Sequence, residues 1–571
     1  MDVTIKIGGE AGQGIQTVGE TLSLVFARSG YHVFSHQDYE SRVRGGHNFY
    51  QVRVSDRRIS ASLRAIDILV AFDKETVPLH GPELSQKGIA VYDSAALKQT
   101  HEGPRFLDVP FSQIAKDAGS AIMANVAAVG AVMGMLGMEL DMLFAIIKDT
   151  FSKKGDEVVR SNIAAAMAGH DYAVNNCRKC SFSAAPVSAG KMLMNGSDAI
   201  GLGAVASGLK FYAAYPMTPS TGIMNYIASK EAEYGIIVEQ AEDEISAINM
   251  ALGASFGGVR AMTGTSGGGF CLMVEGLSLA AMTETPVVIA LAMRPGPATG
   301  FPTRTEQAEL LFALHAGHGE FPRVIFAPGT PEQAVLLTNK AFDLAEKYQI
   351  PVIILTDQYL ADAQWTYEKI DTAGLVVADY RLRGEAFAKT AAYRRHAFTG
   401  SGVTPLAVPG DAPQVVVTDS DEHDEDGHIV EDAETRRKMV DKRWFRKMPL
   451  ISAEIGPPLL HGAPEPEVVV VGWGSTYGVL KEAVDLLERE RPISLLHFSE
   501  LYPFPSTDRF DYLKLLGSAS RTLCVEQNAT GQFSRLFRTE TGFEFSGSIL
   551  KYDGRPFLVE ELAGEIHART K

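Results

Sequence analysis

The stretch IIVEQAEDEISAINMALGASFGGVRAMTGTSGGGFCLMVEGLSLAAMTETPVVIALAM, residues 236–293, decides the fold class. It opens on a short apolar run, Ile236 to Val238, and passes into Asp243 to Ser255, where apolar and small residues recur at helical spacing. A second apolar run, Val259 to Thr263, ends in a glycine turn. A second helical pattern follows from Phe270 to Met282, and Pro286 to Met293 is apolar throughout. Strands alternating with helices predict a parallel sheet with ligands near the carboxyl ends of its strands.

The same alternation extends outward in both directions. Near the N-terminus it runs from Val3 to Ile7 through a glycine loop into a helix from Gln16 to Ser29. Toward the C-terminus, Val468 to Val471, the turn Gly472 to Ser475 and a helix from Tyr477 to Glu490 precede strands at Ser494 to His497 and Thr522 to Val525. The chain is therefore expected to be α/β and multidomain. A short linker is expected at Asn175 to Ala185. From Gln364 to Pro464 the periodicity gives way to Pro, Gly and charge, including the acidic run Asp419 to Asp426, and reads as an extended connection.

With 571 residues, 46% hydrophobic and 21% charged, the chain can bury several cores. Its 53 basic against 69 acidic residues, a balance of -16, would repel a phosphate backbone and argue against nucleic acid as a partner. Four cysteines are too few for a disulfide framework at this length. They read as free thiols in a reducing, cytoplasmic setting, and no export signal precedes the first strand. Ala118 to Met138 is uncharged and long enough to span a bilayer. Asn125, Gly119, Gly130, Gly134 and Gly137 make it weakly hydrophobic, so a helix buried between neighbours is expected and no membrane contact.

Three loops carry candidate chemistry. Gly8-Gly9-Glu10-Ala11-Gly12-Gln13-Gly14 stands between a strand and a helix, where backbone amides and the helix dipole favour an anion. It lacks the order of a dinucleotide fingerprint, and Ile15 and Gln16 stand where a nucleotide triphosphatase needs Lys and Ser or Thr. Gly12 and Gly14 read equally as anion ligands or as a tight turn. Nearby, Arg42 and Arg44 with Gly45 and Gly46 could add positive charge for an anion, but two surface arginines are more often solvated. In Gly264-Thr265-Ser266-Gly267-Gly268-Gly269 the glycines let a ligand or another subunit come close to the backbone.

The run Glu239-Gln240-Ala241-Glu242-Asp243-Glu244 gathers acids at a helix start. Glu242 and Asp243 read as compensation of the helix dipole. Glu244, among Ile245, Ala247, Ile248 and Ala251, reads as a carboxylate facing a cleft. In Tyr215-Pro216-Met217-Thr218-Pro219-Ser220-Thr221 two prolines remove amide donors and fix the backbone around Thr218, holding its hydroxyl at the mouth of the sheet. Arg294-Pro295-Gly296-Pro297 ends a strand, and Gly300 to Gln307 forms a loop around Arg304. An arginine in a proline-stiffened loop suits bidentate grip of a carboxylate.

Tyr-Pro-Met-Thr-Pro-Ser-Thr at 215–221, Phe-Pro-Thr-Arg-Thr-Glu-Gln at 301–307 and Val-Glu-Gln-Asn-Ala-Thr-Gly-Gln at 525–532 resemble the alpha subunit of 2-oxoacid:ferredoxin oxidoreductases. The resemblance covers nearly the whole chain. Gly9 to Gly14 with Val43-Arg44-Gly45-Gly46 is similar to the gamma domain of that family, here fused in front, and Glu422-His423-Asp424 with Gly427-His428 matches a family signature. Met217 stands where Ile is usual. The resemblance implies a gamma-type α/β domain at 1–185, a thiamine-diphosphate-enzyme pyrimidine domain at 186–363, an extended linker with an acidic loop at 364–464, and a transketolase C-terminal-like domain at 465–571.

The activity implied is oxidative decarboxylation of a 2-oxo acid with coenzyme A to an acyl-CoA and CO2, reducing ferredoxin through iron-sulfur clusters. 2-Oxoglutarate is the first choice, with pyruvate or a branched-chain oxo acid as alternatives. The family roles put Glu244 at the ring nitrogen of the thiamine diphosphate aminopyrimidine, where a carboxylic acid promotes loss of the thiazolium proton. Thr218, beside Tyr215 and Pro216, would bond an oxo or carboxylate oxygen of the substrate, and Arg304 would pair its carboxylate. Gly264, Thr265 and Ser266 would line the cofactor, and Gly12 and Gly14 would contact coenzyme A or serve the turn alone.

A thiamine diphosphate site needs a divalent metal, usually held through Gly-Asp-Gly and an Asn about thirty residues later. Asp553-Gly554 has no such sequel, and Cys177, Cys180, Cys271 and Cys524 do not make a cluster motif. The Cys177 and Cys180 pair reads as ordinary free thiols. No metal ligand is assigned to this chain. Magnesium, the diphosphate half of the site and an iron-sulfur cluster are expected on a beta subunit, in a dimer of heterodimers. A stand-alone thiamine-dependent transferase or decarboxylase is weakened by the missing metal motif. A non-catalytic acyl-CoA or nucleotide-binding protein would leave Thr218, Glu244 and Arg304 without a joint purpose.

Overall fold

The apolar runs within residues 236–293 are strands, Ile237–Gln240, Arg260–Thr265 and Val287–Met293. Val287–Met293 is buried along its whole length, which explains why its sequence is continuously apolar instead of alternating. These strands belong to a seven-stranded sheet in the order Glu500–Tyr502, Val324–Phe326, Pro351–Asp357, Val287–Met293, Arg260–Thr265, Leu209–Ala214, Ile237–Gln240. All pair in parallel except Glu500–Tyr502, which runs antiparallel along Val324–Phe326.

Two boundaries differ from the sequence reading. Asp243 stands outside the helix Glu244–Phe256 as its N-cap, accepting the Ser246 N–H at 2.7 Å. The glycine turn shrinks to Ser266, because the strand continues to Thr265 and Gly267, Gly268 and Gly269 form the first turn of the helix Gly267–Met282. Close approach is the reason: a Cβ on Gly269 would lie 2.1 Å from Thr265 Oγ1 and 2.2 Å from Glu244 Oε1.

The computed structural model describes residues 1–42, 45–177, 180, 182 and 189–571. Val43, Arg44 and the expected boundary at 185–186 lie outside the described residues. The chain forms two units, one of residues 1–194, 363–370 and 558–562, the other of 195–362, 371–557 and 563–571. The second unit also contains a five-stranded sheet in the order Leu459–Gly462, Ile493–Phe498, Val468–Trp473, Arg521–Glu526, Gly547–Leu550. One hydrophobic core serves both of its sheets, joining Phe270, Leu291 and Ile353 to Trp473, Phe498 and Phe537. Burying each such side chain stabilises the fold by about 1.5–3 kcal/mol.

The segment read as an extended connection is more ordered than its composition suggests. It contributes Gln364–Tyr367 to the sheet of the first unit and forms helices Ala433–Val440 and Lys447–Glu454. A buried ionic network fastens it within the second unit. Glu284, 1% exposed, meets Lys442 Nζ at 2.6 Å and also Lys447 Nζ, while Arg395 donates to the Glu284 carbonyl at 2.7 Å. Glu422 of the acidic run is paired with Arg436 at 2.6 Å and Arg443 at 2.7 Å.

In the first unit an eight-stranded sheet is parallel on one side of Asp2–Ala11 and antiparallel on the other, where Gly45–Ser55 and His32–Asp38 follow. The uncharged stretch 118–138 is a short turn followed by the buried helix Ala124–Met135. It lies against Asp156–Asn176 at backbone contact, since a Cβ on Gly130 or on Gly169 would come within 2.1 Å of a carbonyl oxygen of the other helix. Among the described residues no helix is long and apolar enough to cross a membrane. One expectation fails here. Cys177 and Cys180 are joined in a disulfide instead of being free thiols, because the Cys-x-x-Cys spacing brings their Cα atoms to 5.6 Å, within bridging range. Cys271 and Cys524 are free.

Candidate active site

Three sequence features converge at the carboxyl ends of the parallel strands in the second unit. Tyr215 to Thr221 follows the strand Leu209–Ala214 directly, with a cis Thr218–Pro219 peptide and the Ser220 N–H donating to the Met217 carbonyl at 2.8 Å. Among the described residues the Thr218 hydroxyl makes no hydrogen bond, whereas its carbonyl accepts from Arg294 Nη1 at 2.6 Å. Arg294 comes from the end of the central strand Val287–Met293, so the rigid middle of the sheet orients the Thr218 loop.

Glu244 begins the helix after Ile237–Gln240 and is only 3% exposed. Thr265 Oγ1 donates to its Oε1 at 3.3 Å and stands 3.9 Å from Met217 Sδ, so the acid, the Thr265 hydroxyl and the 215–221 motif form one contiguous patch. Among the described residues no other donor reaches this carboxylate. The missing side chain at Gly269 leaves room beside it, and Ser266 Oγ and Tyr212 OH are further buried polar atoms without partners in the same strand ends. A buried acid with a single hydroxyl partner, beside glycines and unsatisfied hydroxyls, suits a polar heteroaromatic ligand with a ring nitrogen. Asp243, by contrast, is a half-buried cap at the helix start.

The loop carrying Arg304 is held from below. Gln307 is fully buried; its N–H donates to the Gln527 carbonyl at 2.6 Å, its Nε2 donates to the Trp473 carbonyl at 2.9 Å, and its Oε1 accepts the Gln527 N–H at 3.1 Å. Asn528 Nδ2 donates to the Gln307 carbonyl at 3.2 Å, and Gln532 bonds both the Ala308 carbonyl and the Leu311 N–H. The 525–532 motif is thus the seat of the 301–307 loop. Glu526, within it, accepts from Phe533 N at 2.7 Å and Ser534 N at 3.0 Å and so caps the helix Gln532–Thr541. Arg304 itself lies against the 553–554 turn, where a Cβ on Gly554 would be 3.2 Å from Arg304 Cβ.

In the sequence Arg294 reads only as a strand end, and Glu309 is given no role. The rule that sites sit at carboxyl ends of parallel strands would have singled out Arg294, since it directly follows the central strand. In the first unit, Gly12 and Gly14 line a cavity of about 550 Å3 with Glu10, Asp38, Glu40 and Arg42. Gly8 and Gly9 belong to the strand and not to a loop, and Arg42 is paired with Glu40 at 2.9 Å. Gly14 has φ +76 and abuts Asn125, which requires glycine for backbone and steric reasons.

Comparison with known proteins decides between the competing readings. Residues 202–442 match the family described as pyruvate flavodoxin/ferredoxin oxidoreductase, thiamine diphosphate-binding, and residues 4–172 match pyruvate ferredoxin/flavodoxin oxidoreductase. A 2-oxoacid:ferredoxin oxidoreductase subunit alpha from Sulfolobus sp is 32% identical, over 98% of this chain and 96% of that one. The chain belongs to the 2-oxoacid:ferredoxin oxidoreductases. It is an alpha subunit of this oxidoreductase family, with a pyruvate ferredoxin/flavodoxin oxidoreductase domain at residues 4–172 in front of the thiamine diphosphate-binding domain. The 2-oxoglutarate oxidoreductase subunit KorA of Mycobacterium tuberculosis is 27% identical over 99% of this chain and 91% of its own length. The solved 2-oxoglutarate:ferredoxin oxidoreductase from Magnetococcus marinus, with 2-oxoglutarate, coenzyme A and succinyl-CoA bound, superposes with a TM-score of 0.92 at 30% identity and covers 100% of both chains.

Proposed function

We propose that this alpha subunit serves an enzyme converting 2-oxoglutarate, coenzyme A and oxidised ferredoxin to succinyl-CoA, CO2 and reduced ferredoxin. The supporting observation is the full-length likeness, at a TM-score of 0.92, to the oxidoreductase whose structure holds 2-oxoglutarate, coenzyme A and succinyl-CoA. When bound, thiamine diphosphate supplies the nucleophilic carbon that adds to the oxo group and accepts the electrons released on decarboxylation. Glu244 holds a proton at the aminopyrimidine ring nitrogen, oriented by Thr265. The Thr218 hydroxyl donates to a substrate oxygen, and Arg294 keeps that loop in place through the Thr218 carbonyl. Arg304 pairs the substrate carboxylate. Tyr215 and Pro216 flank the substrate, while Gly264 and Ser266 leave space and a hydroxyl for the cofactor.

The other half of the site is assigned to a beta subunit that brings magnesium, the diphosphate contacts and an iron-sulfur cluster, in a dimer of heterodimers. Ile245 and Leu272, on the two helices that bracket Glu244, are 48% and 47% exposed, an apolar rim suited to a covering subunit. Coexpression with a beta subunit and steady-state rates on a panel of 2-oxo acids test the reading. The highest kcat/KM is expected for 2-oxoglutarate, with no ferredoxin reduction by this chain alone. A preference for pyruvate or a branched-chain oxo acid would replace the substrate assignment, and full activity of the isolated chain would refute the shared site.

Arg304→Ala is expected to lower kcat/KM for the 2-oxo acid roughly ten- to a hundredfold, the loss of about 1.5–3 kcal/mol from a charge-assisted contact. Thiamine diphosphate binding, followed by calorimetry, should stay near wild type. An unchanged kcat/KM with a lowered melting temperature would show instead that Arg304 only fastens its loop to the 553–554 turn.

A further inference from the structure

Glu309 has no part in the site as described so far, although it sits inside it. A Cβ on Gly267 would lie 2.6 Å from Glu309 Oε1, so the carboxyl occupies the space opened by the first glycine of the helix Gly267–Met282. Its Oε2 is sealed from solvent and has no hydrogen-bond partner among the described residues. Ser266 Oγ, fully buried at the same helix start, is likewise unpartnered. Among the described residues, the cation acting on Glu309 is Arg294, which holds the Thr218 carbonyl, and the carboxylates acting on it are Glu306 and Asp357.

We propose that Glu309 is a substrate-contacting acid, donating its carboxyl hydrogen to an oxygen of the 2-oxo acid held beside Thr218 and Arg294. The proposal rests on the 2-oxo acid reading above and adds a residue that determines how the substrate anion is received. Burial, with the negative neighbour Glu306 adding to it, pushes the Glu309 carboxyl up to about 8, and burial, with Asp553 adding to it, pushes Glu306 up to about 7. At neutral pH Glu309 is then a neutral hydrogen-bond donor. Above its pKa it becomes an anion facing an anionic substrate, a repulsion that Arg294 and Arg304 only partly offset. An oxygen buried without a partner favours the protonated carboxyl over the carboxylate.

The test uses the assembled complex. Difference infrared spectra should contain a carboxylic-acid carbonyl band that disappears as pH rises through about 8 and is missing in Glu309→Gln. With 2-oxoglutarate as probe, wild-type KM should rise about tenfold per pH unit above that pKa while kcat changes little, and Glu309→Gln should flatten the rise. Glu306→Gln should move the KM inflection to lower pH, because it removes a charge that raises the Glu309 pKa. The proposal is overturned if Glu309→Gln keeps the wild-type KM profile, if the band is absent at pH 7, or if the inflection stays put in Glu306→Gln. If another 2-oxo acid proves to be the substrate, the same KM series is run with it, so an error in the substrate is told apart from an error about Glu309.

Discussion

Glu244→Gln is expected to reduce turnover of the assembled complex by about a hundred- to ten-thousandfold, the scale for removing a positioned acid-base group. Glutamine keeps the shape of the side chain and can still accept from Thr265 Oγ1, so the packing against Gly269 should survive. It cannot hold an exchangeable acidic proton at a ring nitrogen. Folding and thiamine diphosphate affinity should therefore change little while exchange of the thiazolium proton, followed by quenched-flow NMR, slows in step with turnover. The neighbours are controls. Asp243→Asn loses part of the cap on Ser246 N and should lower the melting temperature with near-normal turnover. Wild-type proton exchange in the Glu244→Gln complex would sink the assignment, and an equal collapse in Glu242→Gln would move the role to that acid.

The largest effect on stability is expected at Glu284. Its carboxylate forms ion pairs with both Lys442 and Lys447, each 1% exposed, and His396 Nδ1 lies 3.2 Å away. Burial pushes His396 down to about 2, so it is neutral, and among the described residues the carboxylate that meets both ammonium groups is Glu284. Glutamine offers one carbonyl oxygen, and its amide N–H groups face the second ammonium. Breaking one partner out of such a buried network costs about 3–5 kcal/mol. Urea unfolding should show that loss, and Glu284→Gln combined with Lys442→Gln should recover part of it. Burial alone would raise the Glu284 carboxyl, but Lys442 and Lys447 hold it well below the usual glutamate range. The folded value is thus below the unfolded one. Its contribution is complete above about pH 4.5 and is lost as pH falls toward the folded value, a step in acid unfolding that Glu284→Gln should lack. A variant within 1 kcal/mol of wild type would show that the network adds little net stability.

What the sequence by itself determined is local. A continuous apolar run makes Val287–Met293 a strand buried on both faces, acids gather at the start of the helix Glu244–Phe256, and the prolines around Thr218 place a hydroxyl at a strand end. The three motifs that resemble the family also carried the activity class, because each is a contiguous run whose residue types are readable without a partner. Tertiary structure alone decided the rest. Gln307 and Gln527 are 220 residues apart and bond reciprocally, Glu284 meets Lys442 and Lys447 from a distant segment, and Cys177 and Cys180 are bridged where free thiols were expected. Gly267 reads as part of a glycine turn open to a ligand or another subunit until Glu309 is seen lying against it. The physical reason is range. Periodicity and capping report interactions between residues a few positions apart, whereas a buried charge or an unpartnered carboxyl takes its meaning from groups that only chain closure brings within hydrogen-bond distance.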